Sequence, residues 1–281
     1  MLSYQHGYHA GGFADVHKHV ALGLLLARPA QKDTPFCVID SHAGRGLYDL
    51  AGEQAGKTGE WQAGIGRLAD AEPATDGLRR YLDLVRSFNR AGPLATYPGS
   101  PALALRLLRP ADRLVLIEAH PAEHAALRAA LHHDRRVHIH KRDGFEALPA
   151  LVPPAERRGL VLIDPSYEVK GDYRRVPETV GKVLQRWAAG IVAIWYPLLP
   201  DGRHAVLVEA LAALPRPVLV AELSTGAAPA APERGLVGTG LAVVNPPWTF
   251  AEALAESGDE IARLLFGDAG RHHQYLTGTP A

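Results

Sequence analysis

Several features are missing from this sequence, and each absence removes a class of protein. There is one cysteine, Cys37, in 281 residues. A single thiol excludes an intrachain disulfide framework and a zinc site built from several cysteines. Cys37 lies in an apolar run and is expected in the core. Net charge is also missing, because 30 Lys and Arg balance 30 Asp and Glu. That excludes a globally cationic nucleic-acid binder, so any contact with a polyanion has to come from a local basic patch. No apolar stretch approaches the ~18 residues that a membrane-spanning helix needs. The start, Met1-Leu2-Ser3-Tyr4-Gln5-His6, lacks the charged and apolar regions of a signal peptide. A cytoplasmic protein without membrane contact is expected. No internal repeat is present.

What is there is the composition of a globular protein, 47% hydrophobic and 21% charged, which can bury a sizeable core. The length suits one large α/β domain with an insertion, or two small domains. Residues 1–12 form a polar, aromatic arm with glycines. An apolar stripe of Phe13, Val16, Val20 and Leu24 predicts a helix over 13–27, stopped by Pro29. Buried-strand signals follow over 35–40, 113–117, 137–140, 159–163, 191–195 and 218–221, with a last strand over 240–244. Helical patterns lie between them, over 122–132, 145–151, 178–188 and 203–214. Residues 48–99 break this rhythm with helical patterns near 61–70 and 76–89 and are read as an insertion. Ser100 is placed to cap a helix over 102–108, with Pro101 at its first position. That helix start suits a carboxylate or other anion. After Phe250 one more helix and a polar end with Arg271, His272 and His273 are expected. Strands alternating with helices predict a mainly parallel, doubly wound sheet covered on both faces.

The chemistry gathers where the strands end. The apolar Val161-Leu162-Ile163 runs into Asp164-Pro165-Ser166-Tyr167. Ligands of open α/β sheets sit at the carboxyl ends of strands. A carboxylate, a rigid corner and a flat ring there suit a planar amine such as a nucleobase, although Asp164 also fits a cap and Tyr167 a lid over the strand. The strand over 35–40 enters Asp40-Ser41-His42-Ala43-Gly44-Arg45-Gly46, a glycine turn that lets backbone amides approach a ligand. It is not a dinucleotide fingerprint, since Asp49 stands where the third glycine belongs, and no P-loop lysine follows. Asp40, Glu118, Asp143 and Asp164 end four successive strands. One such acid is commonplace and caps a helix; four in a row suit a ligand with a ribose, an adenine and a positive centre. His6, His9, His17 and His19 invite a metal reading. No carboxylate cluster completes a site, and His17 and His19 point to different sides of a helix, so no metal is expected.

These strings carry a resemblance. The glycine turn, an acid after the second strand, Asp143-Gly144 after the third and Asp164-Pro165-x-Tyr167 after the fourth resemble a class I S-adenosylmethionine-dependent methyltransferase of Rossmann-like fold. Longer strings are more specific. They are Met1-Leu2-Ser3-Tyr4-x-His6-x-x-His9-Ala10-Gly11, Ala14-Asp15-Val16-x-Lys18-His19, Tyr97-Pro98-Gly99-Ser100-Pro101, the run Arg158–Pro165 and Trp195-Tyr196-Pro197. With them the chain, along nearly its whole length, is similar to the RlmJ family of 23S rRNA (adenine(2030)-N6)-methyltransferases. One methyltransferase domain over 1–281 is then implied, with 48–99 as a helical insertion subdomain.

The resemblance implies roles residue by residue. Asp164 and the Pro165 carbonyl would accept hydrogen bonds from the N6 amine of an unpaired or flipped adenine, and Tyr167 would stack on the base. His19, His42 and Ser100 would surround the methionine part of S-adenosylmethionine, with Gly44 in the turn beside it. Lys18 would neutralise its carboxylate. Glu118 would take the ribose hydroxyls, and Asp143 with the Gly144 backbone would read the cofactor adenine. Tyr4 would contact the RNA. Arg45, Lys141, Arg142, Lys170, Arg174 and Arg175 would carry the RNA backbone, and the protein would act as a monomer. Two departures stand out. Ser166 replaces the second proline of the Asp-Pro-Pro-Tyr pattern, and Asn245-Pro246-Pro247-Trp248 matches that pattern better. Chain order favours Asp164, because Asn245 follows the last strand. DNA adenine or protein glutamine methylation is an alternative, as is a non-catalytic nucleotide-binding module. No separate DNA-recognition domain is evident.

Overall fold

The segments expected as buried strands pair into one sheet. The structure is a computed structural model describing residues 5–27, 33–90, 92–226 and 235–278. In chain order the sheet contains β1 (Cys37–Asp40), β4 (Arg113–Ile117), β5 (Val137–His140), β6 (Gly159–Ile163), β7 (Ile191–Leu198), β8 (Val218–Ser224), β9 (Gly238–Val244) and β10 (Arg271–Thr277). Strands β2 (Leu47–Asp49) and β3 (Thr96–Pro98) form a separate antiparallel ribbon. The order across the large sheet is β10-β8-β9-β7-β6-β1-β4-β5. Strands β5, β4, β1, β6 and β7 run parallel. β9 lies antiparallel between β7 and β8, and β10 pairs antiparallel with β8. The chain leaves β1 towards one edge through β4 and β5, then crosses back to β6 and β7. The crevice between β1 and β6 is therefore the topological switch point, where such sheets bind ligands.

Both faces of the sheet are covered, which is why its strands read as continuous apolar runs. Every residue of β1, β6 and β9 is buried. Alternate side chains go to opposite faces. Val38, Leu114 and Leu160 join one apolar cluster with Val16, Val20 and Leu25 of the first helix, Phe13–Ala27. Ile39, Val115 and Val161 join the other with Val176, Val180 and Val183 of the helix Asp172–Arg186. Between β2 and β3 four helices form, Glu53–Thr58, Glu60–Ala63, Ile65–Leu68 and Asp76–Ser87. Their Ile65, Leu68, Leu78, Tyr81 and Leu82 belong to the same cluster as the first helix.

Four details differ from the sequence expectation. Gly99, not Ser100, occupies the cap position of the helix Ser100–Leu107, because the Ser100 hydroxyl is used elsewhere. The helix expected from 178 begins at Asp172 and runs through Pro177. The β2–β3 ribbon has three-residue strands, too short for a periodic signal. The polar end Arg271–Thr277 is an edge strand rather than an irregular tail, and its polarity reflects one side open to water.

His17 is fully buried on the first helix. Neither ring nitrogen has a hydrogen-bond partner among the described residues, and its ring lies 5.6 Å from that of His272. Burial, with the His272 charge added, pushes its pKa down to about 3. Between that value and the unfolded 6.5 the unfolded chain binds the extra proton, so this stability is complete above 6.5 and is lost as pH falls. At pH 5 the term is about 2 kcal/mol. His17→Leu should flatten the fall of the urea midpoint between pH 7 and pH 5 without lowering it at pH 7; parallel curves for the two proteins would contradict this.

Candidate active site

Strand register decides how the four acids meet. Asp40 pairs with Leu162 on one side and Leu116 on the other. Asp164 and Glu118 therefore lie two residues further along the neighbouring strands, and Asp143 follows β5 beyond them. Glu118, Asp143 and Asp164 line one cavity of about 490 Å³, together with Lys18, His19, His42, Gly44, Ser100, Gly144, Pro165 and Tyr167. Asp40 lies beneath its wall, 2% exposed.

Each acid has a different task. Asp40 accepts the Ser100 hydroxyl at 2.7 Å and the His42 amide at 3.2 Å. It ties the glycine turn to the helix Ser100–Leu107, and burial pushes its carboxyl up to about 7. Glu118 accepts the amides of Gly44 at 2.8 Å and His120 at 2.7 Å. Burial raises its pKa, while the two amides fix its orientation. Asp143 caps the helix Gly144–Leu151 through the Phe145 and Glu146 amides, and its second oxygen accepts Arg175 at 3.0 Å. For this acid the cap expectation holds, within the cavity wall.

The turn needs its glycines. Gly44 has φ +61° and Gly46 φ +81°, in the left-handed region. Gly144 needs small size, since a Cβ there would come 2.1 Å from the Ser41 carbonyl oxygen. The Gly144 amide, at the first position of its helix, bonds to no other described residue. His42 rests on Phe145 with ring centroids 4.8 Å apart and bonds Ser41 Oγ at 2.7 Å. Burial pushes it down to about 4, so it is neutral near pH 7. His19 bonds the Tyr97 hydroxyl through Nδ1 at 2.8 Å, and its buried Nε2 has no partner among the described residues. Burial and the Lys18 charge push its pKa down to about 3.

Lys18 is the junction of the site. Its ammonium lies 2.7 Å from Asp15 Oδ1 and 2.7 Å from Asp164 Oδ2. Burial alone would lower its pKa, but the two carboxylates outweigh that and hold it well above the usual lysine range. Burial would raise Asp15, but His6, Lys18 and His19 hold it well below the usual carboxylate range. Asp15 also accepts His6 Nε2 at 2.9 Å and the Gly11 amide at 2.9 Å. The expectation that Lys18 answers a ligand carboxylate thus meets an ammonium already shared by two protein carboxylates. Asp164 keeps its other oxygen free of described partners, as does the Pro165 carbonyl. Two hydrogen-bond acceptors therefore stand open at the end of β6.

Tyr167 has φ +54°, a conformation rare for an aromatic residue and typical of functional turns. Its hydroxyl donates to the Trp195 carbonyl at 2.7 Å, and its ring packs on Tyr173 with centroids 4.7 Å apart. Neither the amide nor the hydroxyl of Ser166 bonds to another described residue. Asn245 lies beyond the amino-terminal end of β7, at the opposite end of the strands from Asp164, because β9 runs antiparallel to β7, and its amide donates to the carbonyls of Ala188 and Gly190. Tyr4 lies outside the described residues. Of the basic residues, Arg45 pairs with Glu123 at 2.5 Å and Arg175 with Asp143. Lys141, Arg142, Lys170 and Arg174 are exposed.

Sequence reasoning assigned no role to Asp15 or His6 and placed Trp195 only in a matching string, although all three line the cavity. The available signal was the spacing Asp15–Lys18, one helical turn apart. Lys18→Met leaves the buried Asp15 carboxylate with only His6 and the Gly11 amide, and removes the ammonium that Asp164 shares. It should cost ~3–5 kcal/mol of unfolding free energy, read from urea denaturation; an unchanged midpoint would mean that the ammonium compensates neither.

Three comparisons place this geometry among known proteins. The family model described as "Ribosomal RNA large subunit methyltransferase D, RlmJ" matches residues 33–277. The chain is 41% identical over 255 residues to Ribosomal RNA large subunit methyltransferase J of Escherichia coli (strain K12), covering 90% of each protein. It is 40% identical over 258 residues to the protein of the same name from Haemophilus influenzae, covering 91% of each. Among solved structures, protein LPL1258 of Legionella pneumophila superposes with a TM-score of 0.89 at 32% identity, covering 97% of this chain and all of that one.

Proposed function

This chain belongs to the RlmJ family of ribosomal RNA large subunit methyltransferases, and on that premise we propose that it transfers a methyl group from S-adenosylmethionine to the N6 amine of one adenine in 23S ribosomal RNA. The observation that carries this reading is the pair of open acceptors, Asp164 Oδ1 and the Pro165 carbonyl, beside a carboxylate oxygen fixed by Lys18. An exocyclic amine offers two N–H donors, and this strand end offers two acceptors.

The rest of the cavity suits the methyl donor. Glu118, with both oxygens turned by backbone amides, accepts the ribose hydroxyls. The unpartnered Gly144 amide and Asp143 meet the donor's adenine. The orphaned Nε2 of His19, with His42 and Ser100, lies at the methionine end. S-adenosylmethionine supplies an electrophilic methyl on a sulfonium. The protein's contribution is position. Adenine N6 is a poor nucleophile because its lone pair is delocalised into the ring. Hydrogen bonds to Asp164 and Pro165 favour a more tetrahedral nitrogen and hold it in line. Lys18 holds one Asp164 oxygen in place, so the carboxylate acts first as an acceptor and takes the N6 proton late. The adenine reaches the cavity only unpaired or flipped from its helix. Lys141, Arg142, Lys170 and Arg174 are the exposed cations for the RNA backbone, with Tyr4 on the substrate side. The protein works as a cytoplasmic monomer.

Labelled methyl transfer tests this against the alternatives. Protein-free 23S rRNA should accept label and duplex DNA should not; the reverse would reject the proposal. Asp164→Ala should lose at least ~100-fold in turnover while retaining most of its donor affinity, and full activity in that variant would refute the clamp. Because neither the amide nor the hydroxyl of Ser166 bonds to another described residue, Ser166→Pro should equal or exceed the parent in kcat. A large loss there would reveal a contact from the serine to the RNA.

A further inference from the structure

One aromatic ring in the cavity is held for a purpose that no residue so far described fulfils. Trp195 lies on β7, next to the strand that ends on Asp164. Its indole N–H donates to Thr239 Oγ1 at 2.7 Å, and Thr239 is fully buried in β9. Its carbonyl accepts the Tyr167 hydroxyl at 2.7 Å. The polar edge of the ring is therefore satisfied within the protein, so what it offers the cavity is π surface. Trp195 is only partly buried, whereas Tyr167 is 5% exposed and packed between Tyr173 and Trp195. Tyr167 also lines the cavity, but at 5% exposure its ring offers a base less surface than the partly buried indole does.

The position of the ring fits the clamp. The Lys18 ammonium lies over the indole, 5.8 Å from its centroid, and 2.7 Å from Asp164. Carboxylate and ring thus share one ammonium and line the same cavity. Pro197, Leu199 and Leu236 continue the wall with apolar surface. We infer that Trp195 is the platform on which the target adenine stacks, and that Tyr167 braces the platform rather than stacking on the base. This rests on the proposed adenine-N6 activity. Stacking on an indole favours a purine over a pyrimidine through the larger overlapping face, so Trp195 contributes to the choice of base.

The test uses the full chain saturated with S-adenosylhomocysteine and titrated with adenosine. Tryptophan fluorescence should be quenched in the parent and not in Trp195→Phe, which keeps Trp61, Trp187 and Trp248. In steady-state methylation, Trp195→Leu should lose roughly five- to a hundred-fold in kcat/KM for rRNA, as loss of one stacked base predicts. Trp195→Phe should stay within about five-fold of the parent, because it retains a ring. Affinity for S-adenosylhomocysteine should not change in either variant. Absence of a quench in the parent, its survival in Trp195→Phe, or equal kcat/KM in the leucine variant and the parent would each overturn the platform. A parent that quenches with adenosine but transfers no methyl to rRNA would instead refute the proposed activity and leave the platform standing. If the leucine variant does not fold, the phenylalanine titration decides.

Discussion

Two carboxylates sharing one buried ammonium fix the geometry on which this site depends. Lys18 and Asp164 are 146 positions apart. Their 2.7 Å contact joins the first helix to the end of β6. Burying the charges of Lys18 and Asp15 is costly, and such an arrangement is tolerated only where each charge is paired and its remaining hydrogen bonds are met. Here Asp15 is met by Lys18, His6 and the Gly11 amide. Among the described residues, Asp164 is met by Lys18 on one oxygen alone. The imbalance is informative. A purely structural ion pair has no need to leave a carboxylate oxygen and the next carbonyl facing a cavity without partners.

The remaining acids show how one strand-end pattern serves unequal ends. Asp40 is buried under the cavity wall and holds the loops together. Asp143 caps a helix, and Glu118 is aimed by two amides. The same glycine turn that supplies the Gly44 amide sits against the helix Gly144–Leu151, where a Cβ at Gly144 would strike Ser41. Backbone proximity, more than side-chain charge, thus shapes the half of the cavity away from Asp164. The half near Asp164 is aromatic and apolar, with Trp195 and Tyr167 connected through a single hydrogen bond.

Much of this was legible in the sequence, and what was not has physical causes. The strands of the parallel core could be read because burial on both faces leaves continuous apolar runs, and the acids at their ends mark the edge where the cavity opens. The edge strand Arg271–Thr277 was missed because half-exposed polar residues give no such run. Ser100 carried a capping signal that Asp40, 60 residues earlier, diverted. The partner of Lys18 was unreadable for a similar reason, since local spacing suggested Asp15 and nothing local suggested Asp164. Asn245 fits its motif by letter, but the antiparallel run of β9 carries it to the opposite ends of the strands from Asp164. The role of Trp195 depends on Thr239 and Tyr167 fixing its polar edge, and that information exists only once β7, β9 and the turn after β6 are assembled.

If this lysine-held strand end methylates an adenine amine in large-subunit ribosomal RNA, mass mapping of 23S rRNA from cells with and without the protein will show one nucleotide that differs by a single methyl group, located on adenine N6. Identical maps, or a methyl on another base or on a ribose oxygen, would contradict it.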